Sequence, residues 1–510
     1  MTLIYEIIIF LLVLTAIISI HELGHFLLAK KAHILVHEFS IGMGPHIIKK
    51  KKGDTYYALR VIPLGGYVSM SGENGDFAYI KKGSKIGINL NEIGLVKEIT
   101  LDRTISNTSF TGEVLDFDLF GENLKPLFIE MKLEDGTIQR FQVERTARYL
   151  YNYKKEIQIT PHESSFASKT IWQRFLVLFF GPLMNFIMAF VIFFLIGIIQ
   201  GKPLNDNKIA ESFNSDLLAG DVILSIDGIE TKDSKDIQNA LLQIADEEVE
   251  LKILRNNNEV TVSTYVTIVL QNFGLASSKQ DEHVGKVIIG GIGQKAKAAG
   301  LNLGDEIISI NGTLVHSWGD VLNIARNYND LSIKITARRD NEEFEVEFEV
   351  FSNSTIEAIG ERPVIVQLGF NTGYAFDLGY TFIYPFQAFG DSVTQMISTL
   401  GLLFNPRSGI GIGDLSGPVG IFSIVSSASR SGLGIGFWSL VAFLSVNIGL
   451  MNLLPIPALD GGRILFLGYE AITKKKVPAK VEMWVNNISF ILLLALMLFV
   501  TSNDIIRLFK

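Results

Sequence analysis

Hydrophobic patterning divides the chain into two kinds of segment. Four stretches are apolar on every face for about 20 residues, the length a helix rising about 1.5 Å per residue needs to cross roughly 30 Å of hydrocarbon. They fall within 1–30, 172–201, 431–462 and 482–503. The first is the least regular, since Glu6 precedes its apolar run and His21, Glu22 and His25 interrupt its far end. A cleaved signal peptide is the competing reading of that segment, but no Lys or Arg precedes the run and no small-residue cleavage site follows it.

The remaining segments alternate apolar and polar residues over short runs, the period of half-buried strands. From 80 to 160 such runs, for example Phe128-Ile129-Glu130-Met131-Lys132-Leu133 before the turn Glu134-Asp135-Gly136, predict a β-rich insert. Between the second and third spans the chain repeats itself. Gly220-Asp221-Val222-Ile223-Leu224-Ser225-Ile226-Asp227-Gly228 recurs 84 positions later as Gly304-Asp305-Glu306-Ile307-Ile308-Ser309-Ile310-Asn311-Gly312. Each copy reads as a strand, a tight Asp-Gly or Asn-Gly turn, a helical segment and two further paired strands. Two compact domains, 203–270 and 283–352, are expected. This layout resembles the PDZ domains of bacterial membrane and secreted proteases, most clearly through Ala298-Ala299-Gly300-Leu301-Asn302-Leu303-Gly304-Asp305; the first copy departs from it with Leu217-Leu218-Ala219. Such domains take an extended peptide as an added strand or act as spacers that exclude bulky proteins, and both uses stay open. Residues 380–430 are expected at the membrane surface: Tyr380 to Phe404 is apolar on one face with Gln387, Asp391, Ser392 and Gln395 interspersed, the pattern of a helix lying there, and a short fifth span is the competing reading, disfavoured by Asp391 in its middle.

Composition agrees with a membrane protein: 48% of the 510 residues are hydrophobic and the mean hydropathy is +0.31. Lys and Arg cluster after the first span (Lys30, Lys31, Lys49 to Lys52), before the second (Lys154, Lys155, Lys169, Arg174) and between the third and fourth (Arg463, Lys474 to Lys476, Lys480). All three clusters fall on one side, so the positive-inside rule predicts a cytoplasmic insert, with both termini and the repeat domains extracytoplasmic in a cell-membrane protein. The fold class expected is a polytopic α-helical membrane protein of about four spans, with two tandem extracytoplasmic PDZ-like domains and a β-rich cytoplasmic insert. The net charge of −8 is spread along the chain and points to no nucleic-acid partner. With no cysteine present, disulfides and thiolate metal sites are excluded.

His21-Glu22-Leu23-Gly24-His25 carries the most specific chemistry. Residues four apart share a helix face, so both imidazoles can hold one zinc while Glu22 reaches the water that zinc activates. Ionisable groups at that depth are costly and call for a partner or a function. A catalytic zinc takes three protein ligands, and without cysteine the third must be His, Asp or Glu. Asp460 is the candidate: it closes the third span in Asn452-Leu453-Leu454-Pro455-Ile456-Pro457-Ala458-Leu459-Asp460-Gly461-Gly462, where two prolines break the helix. By helix rise His21 lies about 27 Å from residue 3, at the same end of the bilayer as Asp460. An interfacial turn residue is the plainer reading of Asp460 alone.

These stretches, with Gly42-Met43-Gly44, Pro63-Leu64-Gly65-Gly66-Tyr67-Val68, Gly181-Pro182-Leu183-Met184-Asn185-Phe186 and Leu415-Ser416-Gly417-Pro418-Val419-Gly420, resemble the site-2 protease family of intramembrane metalloproteases, specifically the bacterial regulator-of-sigma-E protease type. The resemblance extends over residues 21–462. It implies one Zn2+ per chain held by His21, His25 and Asp460, with Glu22 as base and Asn452 in contact with substrate. It also implies a membrane-associated β-hairpin at 36–72, whose Gly42, Gly44, Gly65, Gly66 and Tyr67 present an edge to an unwound substrate helix. The implied partners are the lipid bilayer and single-span membrane proteins, such as anti-sigma factors or remnant signal peptides, with a peptide or protein ligand of the PDZ-like domains left open. The β-rich insert looks more like Gram-positive members, whereas two outer domains match the Gram-negative type. Three alternatives compete. A tethered soluble-type protease conflicts with a histidine motif inside a span. An inactive PDZ-bearing membrane scaffold predicts a broken ligand set, and a metal transporter needs no glutamate between the histidines.

Overall fold

The computed structural model describes residues 2–73, 79–101, 108–151, 155–278, 286–406 and 408–509. Lys154 of the second basic cluster, positions 283–285 of the expected second repeat domain, and 102–107 and 152–154 of the insert lie outside them. Four helices are long and apolar enough to cross a membrane: Leu3–Lys31, Ile171–Gln200, Ile435–Asn452 and Lys480–Ile506. Only 6% of the most apolar window of the fourth is buried in protein, an exposure that lipid tolerates and water would not. The chain is a membrane protein that divides into two compact units, Met1–Ala189 with Leu444–Ala495, and Phe190–Phe443 with Leu496–Lys510.

In the first unit, small residues set the spacing of the spanning helices. A Cβ at Gly24 of the first helix would lie 2.1 Å from the Phe180 carbonyl oxygen of the second, so the two backbones touch there. Ser445 Oγ of the third helix, fully buried, donates to the Asn185 carbonyl of the second at 2.9 Å. Without a hydrophobic driving force between helices in lipid, close backbone approach and such bonds hold the bundle. Arg174, buried at the start of the second helix, donates twice to the Glu470 carboxylate, at 2.9 and 2.6 Å. Arg174→Met is expected to lower stability by up to about 3 kcal/mol, because it strands a half-buried carboxylate. The loss should be largely recovered in Arg174→Met/Glu470→Leu, as read by thermal unfolding in detergent; an unchanged melting temperature in the single variant would contradict this.

After the first span the strands Val36–Lys52 and Thr55–Met70 form a bent hairpin. Residues 38–41 have partners on both sides, 66–69 along one edge and 56–59 along the other, because both strands double back on themselves. Arg60 holds the bend, donating to Glu38 Oε1, Tyr67 OH and the Gly44 carbonyl, each at 2.5 Å. The hairpin packs on the first span: Thr15 Oγ1 donates to the Pro63 carbonyl, and Phe26, Phe39, Tyr57, Val68 and Met70 share one apolar cluster. The insert is a six-stranded sheet in the spatial order Val96–Thr100, Lys85–Leu90, Phe110–Asp118, Phe128–Leu133, Ile138–Tyr151, Lys155–Gln158. Val96–Thr100 also pairs in parallel with Ile138–Tyr151, which closes the sheet around Ile88, Val96, Ile99, Ile129, Met131 and Ala147. Alternation along the sequence marks these strands but carries no information on closure, which depends on a pairing between residues some fifty positions apart.

In the second unit the sequence repeat is a structural repeat. Val222–Ile226, Ile229–Glu230, Glu248–Arg255 and Asn258–Tyr265 form one four-stranded sheet, and Glu306–Ile310, Thr313–Leu314, Ser332–Arg339 and Glu342–Glu349 form its counterpart in the same order. The repeated aspartates do the same work in both: Arg255 pairs with Asp221 and Arg339 with Asp305, each at 2.7 Å. The Arg255 guanidinium holds the Asp221 carboxyl below the usual carboxylate range. A further sheet joins Thr267–Leu270, Leu275–Ser277, Ile289–Ile292 and Val364–Gln367, so strands at 267–270, 275–277 and 364–367 connect with the second repeat outside its expected limits. The region 380–430 contains two helices, Leu378–Leu403 and Pro418–Arg430. Asp504 Oδ2 accepts from the backbone N–H groups of Gly417 and Gly420 at 2.9 and 2.8 Å, capping the second of these helices from another segment of the chain. A Cβ at either glycine would crowd that carboxylate, which gives the Gly417-Pro418-Val419-Gly420 motif a packing reason.

Candidate metal centre

The first span positions two imidazoles one turn apart, and both are buried, with His21 at 7% and His25 at 6% exposure. The third donor arrives by a different route from the one the sequence suggests. The third span ends at Asn452, Pro455 and Pro457 interrupt the chain, and Asp460 opens a new helix, Asp460–Thr473, instead of closing the old one. Gly461 and Gly462 let this helix start against the Leu453, Leu454 and Ile456 carbonyls. Asp460 Oδ2 lies 3.1 Å from His21 Nε2 and 3.3 Å from His25 Nε2, and the two nitrogens are 3.1 Å apart.

This triangle fits zinc. Ligands at about 2.0–2.1 Å in tetrahedral array are separated by about 3.3 Å, close to all three edges. The donor chemistry fits too. His25 Nδ1 donates to the Val177 carbonyl at 2.8 Å, which leaves Nε2 with its lone pair toward the other two donors. Among the described residues these three are the group of His, Asp or Glu side chains able to share an ion.

One cavity of about 240 Å³ contains the triad together with Glu22, Tyr67, Val68, Met70, Glu73, Leu178, Asn452 and Arg463. Glu22 reaches the backbone of Val68, and a Cβ at Gly66 would meet its Cγ at 3.7 Å. Asn452 lies in the same cavity, its Nδ2 donating to the Ile448 carbonyl at 3.0 Å. Of the hairpin glycines, Gly66 adjoins Glu22 and Gly65 adjoins Ile18 of the first span, whereas Gly42 and Gly44 sit at the bend beside Arg60 and Ile62. Residues given no role by sequence complete the site. Arg463 pairs with Glu73 at the rim, and Gly181 of the second span lies directly over the histidine nitrogens. Gly181 and Asn185 belong to a motif visible in the sequence, but their proximity to the metal donors depends on how two helices cross.

A model of peptidase family M50 matches residues 9–496. The sequence is 32% identical over 505 residues to the zinc metalloprotease RasP of Bacillus licheniformis, 29% over 503 residues to the regulator of sigma-W protease RasP of Bacillus subtilis, and 29% over 501 residues to the zinc metalloprotease RasP of Oceanobacillus iheyensis. Each match covers 98% of this chain and 98% of the relative. The chain belongs to peptidase family M50 and is an intramembrane zinc metalloprotease, with His21, His25 and Asp460 forming a group able to hold a metal ion.

Proposed function

We propose that the chain performs regulated intramembrane proteolysis, hydrolysing peptide bonds in the spanning segments of single-span membrane proteins, with Glu22 as catalytic base. The observation that carries this reading is the single cavity in which three metal donors, Glu22 and the return strand of the hairpin meet. His21, His25 and Asp460 would hold the zinc, which when bound would supply a Lewis acid for water and for a peptide carbonyl. Glu22 takes the proton of the attacking water and delivers it to the leaving amine. Residues 66–70 pair with the hairpin along one edge, and Tyr67, Val68 and Met70 line the cavity. A substrate segment unwound from its helix adds to this strand, recovering the backbone hydrogen bonds it gave up. Gly66 and Tyr67 bear the added strand, Gly42, Gly44 and Gly65 shape the hairpin that presents it, and the Asn452 carboxamide contacts substrate beside the metal.

The hairpin's surface supports its placement in lipid. Met43, Ile47, Ile48, Val61 and Ile62 are about half exposed, and the run Lys49 to Lys52 continues the first strand directly after Ile48, so the apolar stretch of that strand ends in interfacial cations. With the other Lys and Arg clusters, this run supports an orientation with the insert and the metal end of the bundle in the cytoplasm and the PDZ-like repeats outside. There the repeats filter substrates, by taking an extended peptide or by excluding bulk. The Bacillus subtilis relative is named for regulation of sigma-W, which favours an anti-sigma factor as substrate over a remnant signal peptide. The intact donor set argues against an inactive scaffold.

The test uses purified, zinc-loaded full-length protein with paired single-span substrates that differ only in one helix-breaking residue near the cut. Replacing that Gly or Pro by Ala or Leu stabilises the helix by about 1–3 kcal/mol, so cleavage is expected to slow by about 5- to 100-fold. Equal rates for both members of the pair would refute strand addition to an unwound segment.

A further inference from the structure

The second span supplies hydrogen-bond partners to the histidines carried by the first. His25 Nδ1 donates to the carbonyl of Val177. His21 Nδ1 faces the side chain of Asn185, whose Nδ2 lies 3.4 Å away and whose residue is fully buried. Asn185 Oδ1 is also buried, and it has no hydrogen-bond partner among the described residues.

These facts conflict with His21 as a ligand unless the amide is turned. A neutral imidazole that offers Nε2 to a metal carries its proton on Nδ1, and an N–H facing an NH2 group sets donor against donor. The two ends of a carboxamide have nearly the same shape, so turning it end over end places Oδ1 toward His21 Nδ1 and satisfies the orphaned oxygen in the same move. The backbone stays where it is, because the Asn185 carbonyl is tied to Ser445 Oγ at 2.9 Å.

We propose that Asn185 is a positioning residue for the metal site: its carboxamide oxygen accepts a hydrogen bond from His21 Nδ1–H, fixing Nε2 as the nitrogen that binds zinc. Partners of this kind orient a ligand and raise its basicity. The inference rests on His21 being a zinc ligand, and the controls separate failure of one from failure of the other.

Full-length protein is prepared with Asn185→Leu, Asn185→Asp and His21→Ala. Zinc retention is measured against rising concentrations of a competing chelator, and the cobalt-substituted forms are compared by their visible absorption. Asn185→Leu, similar in size but without an acceptor, is expected to lose metal at about 10- to 100-fold lower chelator and to shift the cobalt bands. Asn185→Asp, which still accepts, should stay close to wild type on both measures. Chelator resistance and a cobalt spectrum unchanged in Asn185→Leu, with His21→Ala empty of metal, would overturn the role of Asn185 alone. Equal loss in the Leu and Asp variants would overturn it too, by assigning Asn185 to packing. Zinc retained in full by His21→Ala would remove the ligand assignment on which the inference stands.

Discussion

Gly181→Ala is expected to empty the zinc site, although residue 181 is no ligand and carries no side chain. A Cβ built there lies 2.3 Å from His25 Nε2, 2.4 Å from its Cε1 and 3.0 Å from His21 Nε2. Those are the two nitrogens that converge with Asp460 Oδ2, so the methyl group competes for the space where the three donors meet. The second helix has little room to retreat, being held by the Ser445 bond to Asn185 and by Arg174 against Glu470. The imidazoles must move instead, and a shift of about 1 Å at a reacting centre costs about 100-fold. Cleavage of a single-span substrate should therefore fall by about that factor, and zinc content after purification should fall with it. The variant should still fold, since the Gly24 contact with Phe180 is untouched. Full zinc occupancy in Gly181→Ala would mean that the helices do not cross with Gly181 against the histidine nitrogens.

What the sequence made legible follows the range of each interaction. The spans, the His21 to His25 pair and the 84-residue repeat are local patterns, visible because a helix or a hairpin encodes its own period. Asp460 was within reach because ligand chemistry and depth in the bilayer are composition-level constraints, but the helix it opens was not. Two prolines announce a break without saying whether the chain leaves the membrane or starts again. Gly181 and Asn185 are the clearest case of what stays hidden. Their sequence context resembles a known motif, but their place beside His21 and His25 exists only where the second span crosses the first, and no periodicity specifies that crossing. The doubled hairpin is hidden for a related reason: a two-strand pattern with glycines at 42, 44 and 65 permits several registers, and the Arg60 bonds to Glu38, Tyr67 and Gly44 select among them.

Glu22→Gln is expected to separate metal binding from chemistry. The glutamate sits between the two histidines in sequence but is not one of the three donors that converge, and its side chain reaches instead toward Gly66 and Val68 at the edge of the hairpin. Glutamine keeps the size and the polar contacts of the side chain, so the triangle formed by His21, His25 and Asp460 has no cause to move. Zinc content and resistance to chelation should match wild type. Glutamine has no basic carboxylate, however, and cannot take a proton from water or return it to the leaving nitrogen. Losing a positioned general base typically costs about 10²- to 10⁴-fold, and this base serves both proton transfers, so cleavage should fall toward the upper end of that range. Both outcomes are needed. A variant that lost its zinc would place Glu22 among the groups holding the metal, and a variant that cut substrate at the wild-type rate would transfer the base's role to another residue of the cavity, of which Glu73, paired with Arg463 at the rim, is the nearest in kind.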